Sequence, residues 1–236
     1  MYDWKTRIRY SELDSDAVLS IGALVNVFQD CANFDSEDHG VGLSFLMENK
    51  MAWILLGWEF DIRRLPTMGE HVVVSTMPYD FKGSFGYRNF VMSSQDGELL
   101  ARADSMWMFA NWETLRPLRI PEEIYGRYEL EEAVFRADLR TKPQMEGLHD
   151  AETFRIMKQH LDTNQHVNNA QYVDFATQYL PKDCCVKRMC VQYRKQAFLG
   201  DEVHAHVGRD GAEFKVMLCN AEQEVYATFV FRIEDK

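Results

Sequence analysis

Ile54, Leu56, Trp58, Phe60 and Ile62 share one parity along the chain, while Glu59, Asp61 and Arg63 take the other. Alternation of this kind predicts a half-buried antiparallel strand. Residues 71–78, 85–93 and 99–110 continue the pattern, and 184–193, 202–207, 213–219 and 225–233 repeat it in the second half. Asp96-Gly97 and Asp210-Gly211 fall between such runs and suit tight hairpin turns. Two segments switch period. Leu24, Val27, Phe28 and Cys31, and later Tyr172, Phe175, Ala176 and Tyr179, are spaced i, i+3, i+4, i+7, which puts each set on one helical face.

The two halves echo one another. Leu13-Asp14-Ser15-Asp16 precedes Leu161-Asp162-Thr163-Asn164 by 148 positions, and each leads into one of the helical segments. Arg63-Arg64 with Gly69-Glu70 and Val72 matches Arg194-Lys195 with Gly200-Asp201 and Val203 at an offset of 131. Glu98-Leu99-Leu100-Ala101 matches Glu224-Val225-Tyr226-Ala227 at 126. Three matches in the same order, with shrinking offsets, imply one duplicated pattern with extra residues in the first copy, mostly around 35–51. Each copy reads as an opening strand, one helix and a run of strands, an α+β architecture. The stretch around 116–150 carries three of the six prolines and many charges and reads as the connection. The expected organisation is therefore 1–118, a linker over 119–149, and 150–236.

Composition narrows the function. Hydrophobic residues make up 46% of the 236, enough for real cores. Aromatic residues at 13% and 12 Met make a bulky, adaptable interior that suits a long apolar ligand, although an ordinary core accounts for it equally. The first residues contain no apolar leader segment and no run of 18 apolar residues occurs, so neither a signal peptide nor a membrane span is expected. Five cysteines, an odd number without CxxC spacing, suit reduced thiols in a cytoplasm. A net charge of -11 argues against nucleic acid as a partner. His204 and His206 share a strand face, but with no third ligand evident they read as a solvated face, so neither a metal nor a cofactor is expected.

The segment 161–172, Leu-Asp-Thr-Asn-Gln-His-Val-Asn-Asn-Ala-Gln-Tyr, closely resembles the D-x-N-x-H-V-N-N-x-x-Y signature of the plant and bacterial acyl-ACP thioesterases. Asn111-Trp112-Glu113-Thr114-Leu115-Arg116 is similar to that family's N-x-E-T-x-R turn, and Ile120-Pro121-Glu122-Glu123 to its M-P-E-E segment. Arg63 to Glu70 resembles its R-x-P-x-x-G-D strand start, and Val191 to Ala197 its L-E-Y-R-R-E-C. The resemblance covers nearly the whole chain. It implies two tandem hotdog domains, each a curved antiparallel sheet wrapped around a helix. It also implies hydrolysis of a fatty acyl thioester on acyl carrier protein, with the working residues in the second half. Carried over position by position, those are Asp162, Asn164 and His166. The family's following carboxylate falls on Gln196 and its cysteine on Ala197, so no thiolate is expected there.

These residue types fit the chemistry. Thioester hydrolysis needs an activated water and a stabilised oxyanion. An imidazole, with an ordinary pKa of about 6.5, can take a proton from water near neutral pH. An Asn amide can orient water or thioester, an Asp can fix that amide or the imidazole, and a Gln can hold a water by donor and acceptor. Backbone N–H groups near 167–169, at a helix start, are further candidates for the oxyanion. On residue types alone, Asp and Asn before a helix are more often caps; the resemblance reverses that preference. In the first copy Val18 stands where the second has His166, so that half should lack the base.

The resemblance further implies that the first half holds the acyl chain, with Leu24, Phe28, Trp53, Leu55 and Trp58 as candidate lining. Since carrier protein is acidic, docking would need a local basic patch, for which Arg188, Arg194 and Lys195 are candidates beside Lys182, Lys187, Arg63 and Arg64. An acyl-CoA hydrolase and a non-catalytic acyl-binding protein are the alternatives, the second kept open by Gln196. A monomer or a homodimer would serve, since duplication can replace the dimer of a single hotdog.

Overall fold

Both alternating runs fold as antiparallel sheets, each with a helix laid against it. The computed structural model describes residues 1–235. One unit comprises Met1–Trp58 and Arg63–Asp138; the other comprises Glu59–Ile62 and the chain from Leu139 onward. The first contains β1 (Tyr2–Arg7), α1 (Ile21–Asp38), α2 (Leu43–Glu48), β2 (Met51–Ile62, its last four residues counting with the second unit), β3 (His71–Lys82), β4 (Phe85–Ser94), β5 (Leu99–Asn111) and the short α3 (Glu122–Tyr125). Its strands lie in the order β1-β3-β4-β5-β2. The second contains β6 (His149–Arg155), α4 (Asn169–Thr177), β7 (Cys184–Tyr193), β8 (Glu202–Asp210), β9 (Glu213–Cys219) and β10 (Val225–Asp235), in the order β7-β10-β9-β8-β6.

In the first unit α1 lies against β3. Ser20 caps it by accepting the Ala23 N–H at 3.0 Å, and the chain turns away at Gly40, whose φ of +70° a side chain would resist. Leu24, Val27 and Phe28 are at most 2% exposed. Burying each is worth about 1.5–3 kcal/mol, which holds the helix on the sheet. The Phe28 ring stacks on Phe90 at 5.2 Å, and Trp58 lies 4.8 Å from Phe90. Pro78, which has no N–H for a ladder, sits where the β3–β4 register shifts. In the second unit Phe175 of α4 contacts Phe154 at 4.7 Å, and the Tyr193 hydroxyl donates to the Asn169 carbonyl at 3.0 Å.

The predicted duplication appears as paired backbone hydrogen bonds. Leu19 N–H donates to Pro66 O at 2.8 Å, and Val167 N–H to Ala197 O at 3.1 Å. Gly69 N–H donates to Ile8 O at 2.9 Å, and Gly200 N–H to Ile156 O at 3.0 Å. Arg64 N–H donates to Leu100 O at 3.2 Å, and Lys195 N–H to Tyr226 O at 3.4 Å. Offsets of 148 and 131 differ by 17 residues, inserted in the first copy. The insertion lengthens α1 to 18 residues against nine in α4, and adds α2. Of the expected linker 119–149, the part up to Asp138 belongs to the first unit, where Ile120 and Ile124 bury with Val41 and Phe109.

Candidate active site

The Asp-x-Asn-x-His segment forms a tight turn just ahead of α4. The Asp162 N–H donates to the His166 carbonyl at 2.8 Å and the Gln165 N–H to the Asp162 carbonyl at 3.1 Å, with Gln165 at φ +63°. Asp162 Oδ1 accepts the N–H groups of Asn164 at 2.8 Å and His166 at 3.2 Å. Its other oxygen, Oδ2, accepts the Asn164 amide at 3.5 Å. Asp162, Asn164 and His166 are thus brought together, Asn164 exposed and the other two half-buried.

The first unit holds the same turn. Asp14 Oδ1 accepts from Asp16 N–H at 2.9 Å and Val18 N–H at 3.3 Å, Asp14 N–H donates to Val18 O at 2.8 Å, and Ala17 has φ +61°. An aspartate so placed closes an Asx-type turn through local main-chain hydrogen bonds. This corrects the capping alternative: α1 is capped by Ser20, and α4 by Asn168, which accepts the Ala170 N–H at 2.8 Å. Neither Asp14 nor Asp162 caps a helix.

The imidazole of His166 stands edge-on to the Phe198 ring, centroids 5.0 Å apart. Among the described residues its ring nitrogens and the half-buried Gln196 amide make no hydrogen bond to protein, which leaves them available to water or a ligand. Ala197 is fully buried, and its N–H donates to the Tyr172 hydroxyl at 2.8 Å; that bond and the Val167–Ala197 backbone bond fasten the Gln196 loop to the turn and α4. Burial pushes the Tyr172 phenol well above its ordinary range, so it stays a neutral hydroxyl. The expected backbone oxyanion donors are largely spent. Val167 N–H binds Ala197 O, and Asn168 N–H binds His160 O at 3.0 Å. The side-chain amides of Asn164, in the same turn as His166, and of Gln196 are further candidate donors.

In the first unit a cavity with an empty volume of about 470 Å³, open mouth included, is lined by Trp53, Phe81, Trp107 and Pro78 together with the polar Ser36, Arg88 and Tyr128. Gly86 belongs to its wall: a Cβ there would come within 3.2 Å of the Trp53 and Phe81 rings. Of the candidate lining residues, Trp53 borders this cavity. Leu24, Phe28, Leu55 and Trp58 do not; they are at most 4% exposed. The resemblance pointed to these five positions, and four of them are packed core.

The candidate docking residues are engaged locally. Arg188 pairs with the buried Glu59, Lys195 with Glu224, and Arg194 donates to the neutral Gln192 amide. Lys195 repeats a first-unit device, in which Arg64 bridges Glu70 and Glu98 at 2.7 Å each. His204 and His206 each sit by a carboxylate, Glu202 at 3.1 Å and Asp150 at 2.9 Å. Among the described residues no cluster of three His, Cys, Asp or Glu could hold a metal, and no helix is long and apolar enough to cross a membrane.

The family described as "Acyl-ACP thioesterase N-terminal domain" matches residues 1–128, and "Acyl-ACP thioesterase C-terminal domain" matches 146–232. The chloroplastic palmitoyl-acyl carrier protein thioesterase of Gossypium hirsutum is 30% identical over 191 residues, 74% of this chain and 46% of that protein. The chloroplastic dodecanoyl-[acyl-carrier-protein] hydrolase of Cinnamomum camphora is 27% identical over 210 residues, 80% of this chain and 54% of that protein. The chain therefore spans about half the length of the curated relatives it matches. Among solved structures, an acyl-ACP thioesterase from Bacteroides thetaiotaomicron superposes with a TM-score of 0.89 at 23% identity, covering 98% of this chain and 97% of that one. The 12:0-ACP thioesterase from Umbellularia californica gives 0.85 at 20% identity, covering 100% and 97%. These likenesses establish the tandem hotdog fold.

Proposed function

Because the chain belongs to the acyl-ACP thioesterase family, we propose that it hydrolyses fatty acyl-ACP thioesters, releasing a free fatty acid and the carrier's thiol. One observation carries the reading: the two units build the same turn, and only the second replaces Val18 with an imidazole whose ring nitrogens are left open. A structural turn needs no histidine, as the first unit demonstrates.

On this reading the first unit receives the acyl chain and the second performs the reaction. His166 takes a proton from a water as that water attacks the thioester carbonyl. The carbonyl π electrons move onto oxygen, and the Asn164 amide donates to the resulting oxyanion. When the oxyanion collapses, the C–S bond breaks and the sulfur leaves as a thiolate that recovers the proton from the imidazolium. Gln196 holds the water, accepting a hydrogen bond from its other O–H and donating one to its oxygen. A positioned base contributes about 10²–10⁴ in rate, and one oxyanion donor about 10²–10³. Acyl carrier protein is the partner, met by the basic side chains of Arg188, Arg194 and Lys195. The setting is cytoplasmic, supported by the odd count of five cysteines.

The test is release of free carrier thiol from acyl-ACPs of graded chain length, by wild type and His166→Ala, with the matching acyl-CoAs in parallel. Turnover of acyl-ACP that falls at least 10²-fold in the variant supports the reading. Equal or faster turnover of acyl-CoA would move the substrate assignment to that carrier. Tight acyl binding without turnover would make the protein a binder.

A further inference from the structure

An alkyl chain has no use for hydrogen-bond donors, yet Ser36, Arg88 and Tyr128 are among the residues that line the cavity of the first unit. Arg88 of β4 is only 9% exposed and borders the cavity. Its Nη1 donates to Asp35 Oδ2 at 2.5 Å and to Thr76 Oγ1 at 3.3 Å. A guanidinium carries five N–H donors, and both of these contacts use one nitrogen. The Tyr128 ring lies beneath the guanidinium, 5.4 Å from ring centre to Arg88 Cζ. Its hydroxyl donates to Ser36 Oγ at 3.0 Å, and Ser36 in turn donates to the Ala32 carbonyl at 3.0 Å. Burial raises the Tyr128 phenol above its ordinary range while Arg88 and Ser36 pull it back, so Tyr128 is a neutral hydroxyl close to the guanidinium.

The charge here is already balanced. Asp35, 2% exposed, neutralises Arg88, and His39 Nδ1 lies 3.1 Å from the same carboxylate. A ligand carboxylate or phosphate would bring an uncompensated charge into a buried site, which is costly. A neutral oxygen would instead accept from guanidinium N–H groups not engaged by Asp35, Thr76 or the Tyr128 hydroxyl, and a hydroxyl could also donate to Tyr128 or Ser36. The same lining includes the aromatic rings of Trp53, Phe81 and Trp107, with Phe81 lying 5.9 Å from the Tyr128 ring, and these suit the methylene part of the same ligand.

We infer that the first-unit cavity selects acyl chains bearing a neutral oxygen substituent, a hydroxyl or keto group, which meets Arg88, Tyr128 and Ser36. This rests on the reading of the chain as an acyl thioesterase, and it narrows the substrate class.

Two measurements separate the inference from that reading. In the first, His166→Ala protein binds free fatty acids in a calorimeter: saturated acids of graded length and their hydroxy and keto counterparts, substituted at successive positions along the chain. The expected result is one position at which the oxygenated acid binds about tenfold tighter than the plain acid of equal length, the effect of one buried donor satisfied instead of left open. Tyr128→Phe and Ser36→Ala, two small changes tested separately in the same background, should each shrink that ratio. In the second, wild type hydrolyses the corresponding acyl-ACPs, and kcat/KM should show the same preference. Equal or tighter binding of the plain acid at every position overturns the inference. A binding preference with no hydrolysis of any acyl-ACP by wild type upholds the cavity's selectivity and defeats the enzymatic reading.

Discussion

Asp162 Oδ1 accepts the backbone N–H of His166 at 3.2 Å, so the carboxylate holds the histidine's main chain and makes no bond to its ring. Asn164 N–H shares the same oxygen at 2.8 Å. An acceptor in this position does its work whether charged or neutral. Asp162→Asn should therefore retain most of the activity, within about tenfold of wild type, because the amide oxygen still accepts both N–H groups. Asp162→Ala should lose more, since it loosens the turn that sets the imidazole. Steady-state kcat on one acyl-ACP decides it, and an Asn variant as poor as the Ala variant would assign Asp162 to proton transfer.

Gln196 cannot carry a proton, whereas His166 can. Gln196→Ala should cost about tenfold or less in kcat, and His166→Ala at least 10²-fold. Single-turnover rates on matched acyl-ACP report both. The reverse order would remove His166 from the role of base.

The basic side chains differ in what already neutralises them. Lys195 and Arg188 face carboxylates, while Arg194 faces an amide. Arg194→Glu should raise KM for acyl-ACP several-fold, with kcat nearly unchanged, and the effect should weaken as salt screens it. Lys195→Glu should instead lower the melting temperature, because it sets two carboxylates together at Glu224. A KM that ignores both substitutions would place the carrier elsewhere on the protein.

Asp174 of α4 is half-buried and accepts from Gln171 Nε2 at 2.9 Å; loss of solvent pushes its carboxyl up to about 6. The folded state therefore binds this proton more tightly than the unfolded chain, whose carboxyl titrates near 3.9. Its contribution to stability is fullest below about pH 4 and declines as pH rises to about 6. Asp174→Asn removes the titration. The variant should melt higher than wild type above pH 6, with the gap narrowing towards pH 4. A gap independent of pH would show that the carboxyl is not desolvated.

Asp104 is fully buried and accepts from the Tyr79 hydroxyl at 2.9 Å, Asn89 Nδ2 at 3.1 Å and Ala137 N–H at 2.9 Å. Asn89 in turn accepts the N–H groups of Val134 and Phe135 at 2.9 and 3.1 Å. This buried network ties the stretch after α3 onto β4 and β5. Asp104→Ala would take this acceptor from one buried and two part-buried donors, and by the usual cost of about 1–3 kcal/mol for an unpaired buried group the loss should fall in that range. Urea denaturation measures it.

Much of this was legible in the residues. Two-residue alternation gave the bounds of β7 and β9, and the shrinking offsets located the insertion that became the longer α1 and α2. β3, β8 and β10 run two to four residues past their alternating cores, because strand pairing continues where side chains no longer need burial. The candidate lining was harder to read. Periodicity reports that Trp58 or Phe28 points inward; it says nothing of whether a cavity or another side chain waits there. The polar wall of Arg88, Tyr128 and Ser36 gave no pattern, since the three come from β4, the stretch after α3, and α1. The one charged residue of β4, Arg88 between Tyr87 and Asn89, was the available signal. The local contacts of Asp162 were hidden because a turn-forming aspartate and a catalytic one look identical in a motif; the matching Asp14 shows that the same turn closes where no histidine follows.

On the proposed division of labour, the Val18 turn leaves one copy of the duplicated pattern without the reacting imidazole. Replacements around Trp53 and Gly86 would then reshape the cavity of one unit, while His166 belongs to the other. Natural variation, or a protein engineer, could on that proposal retune the product by working on the first unit.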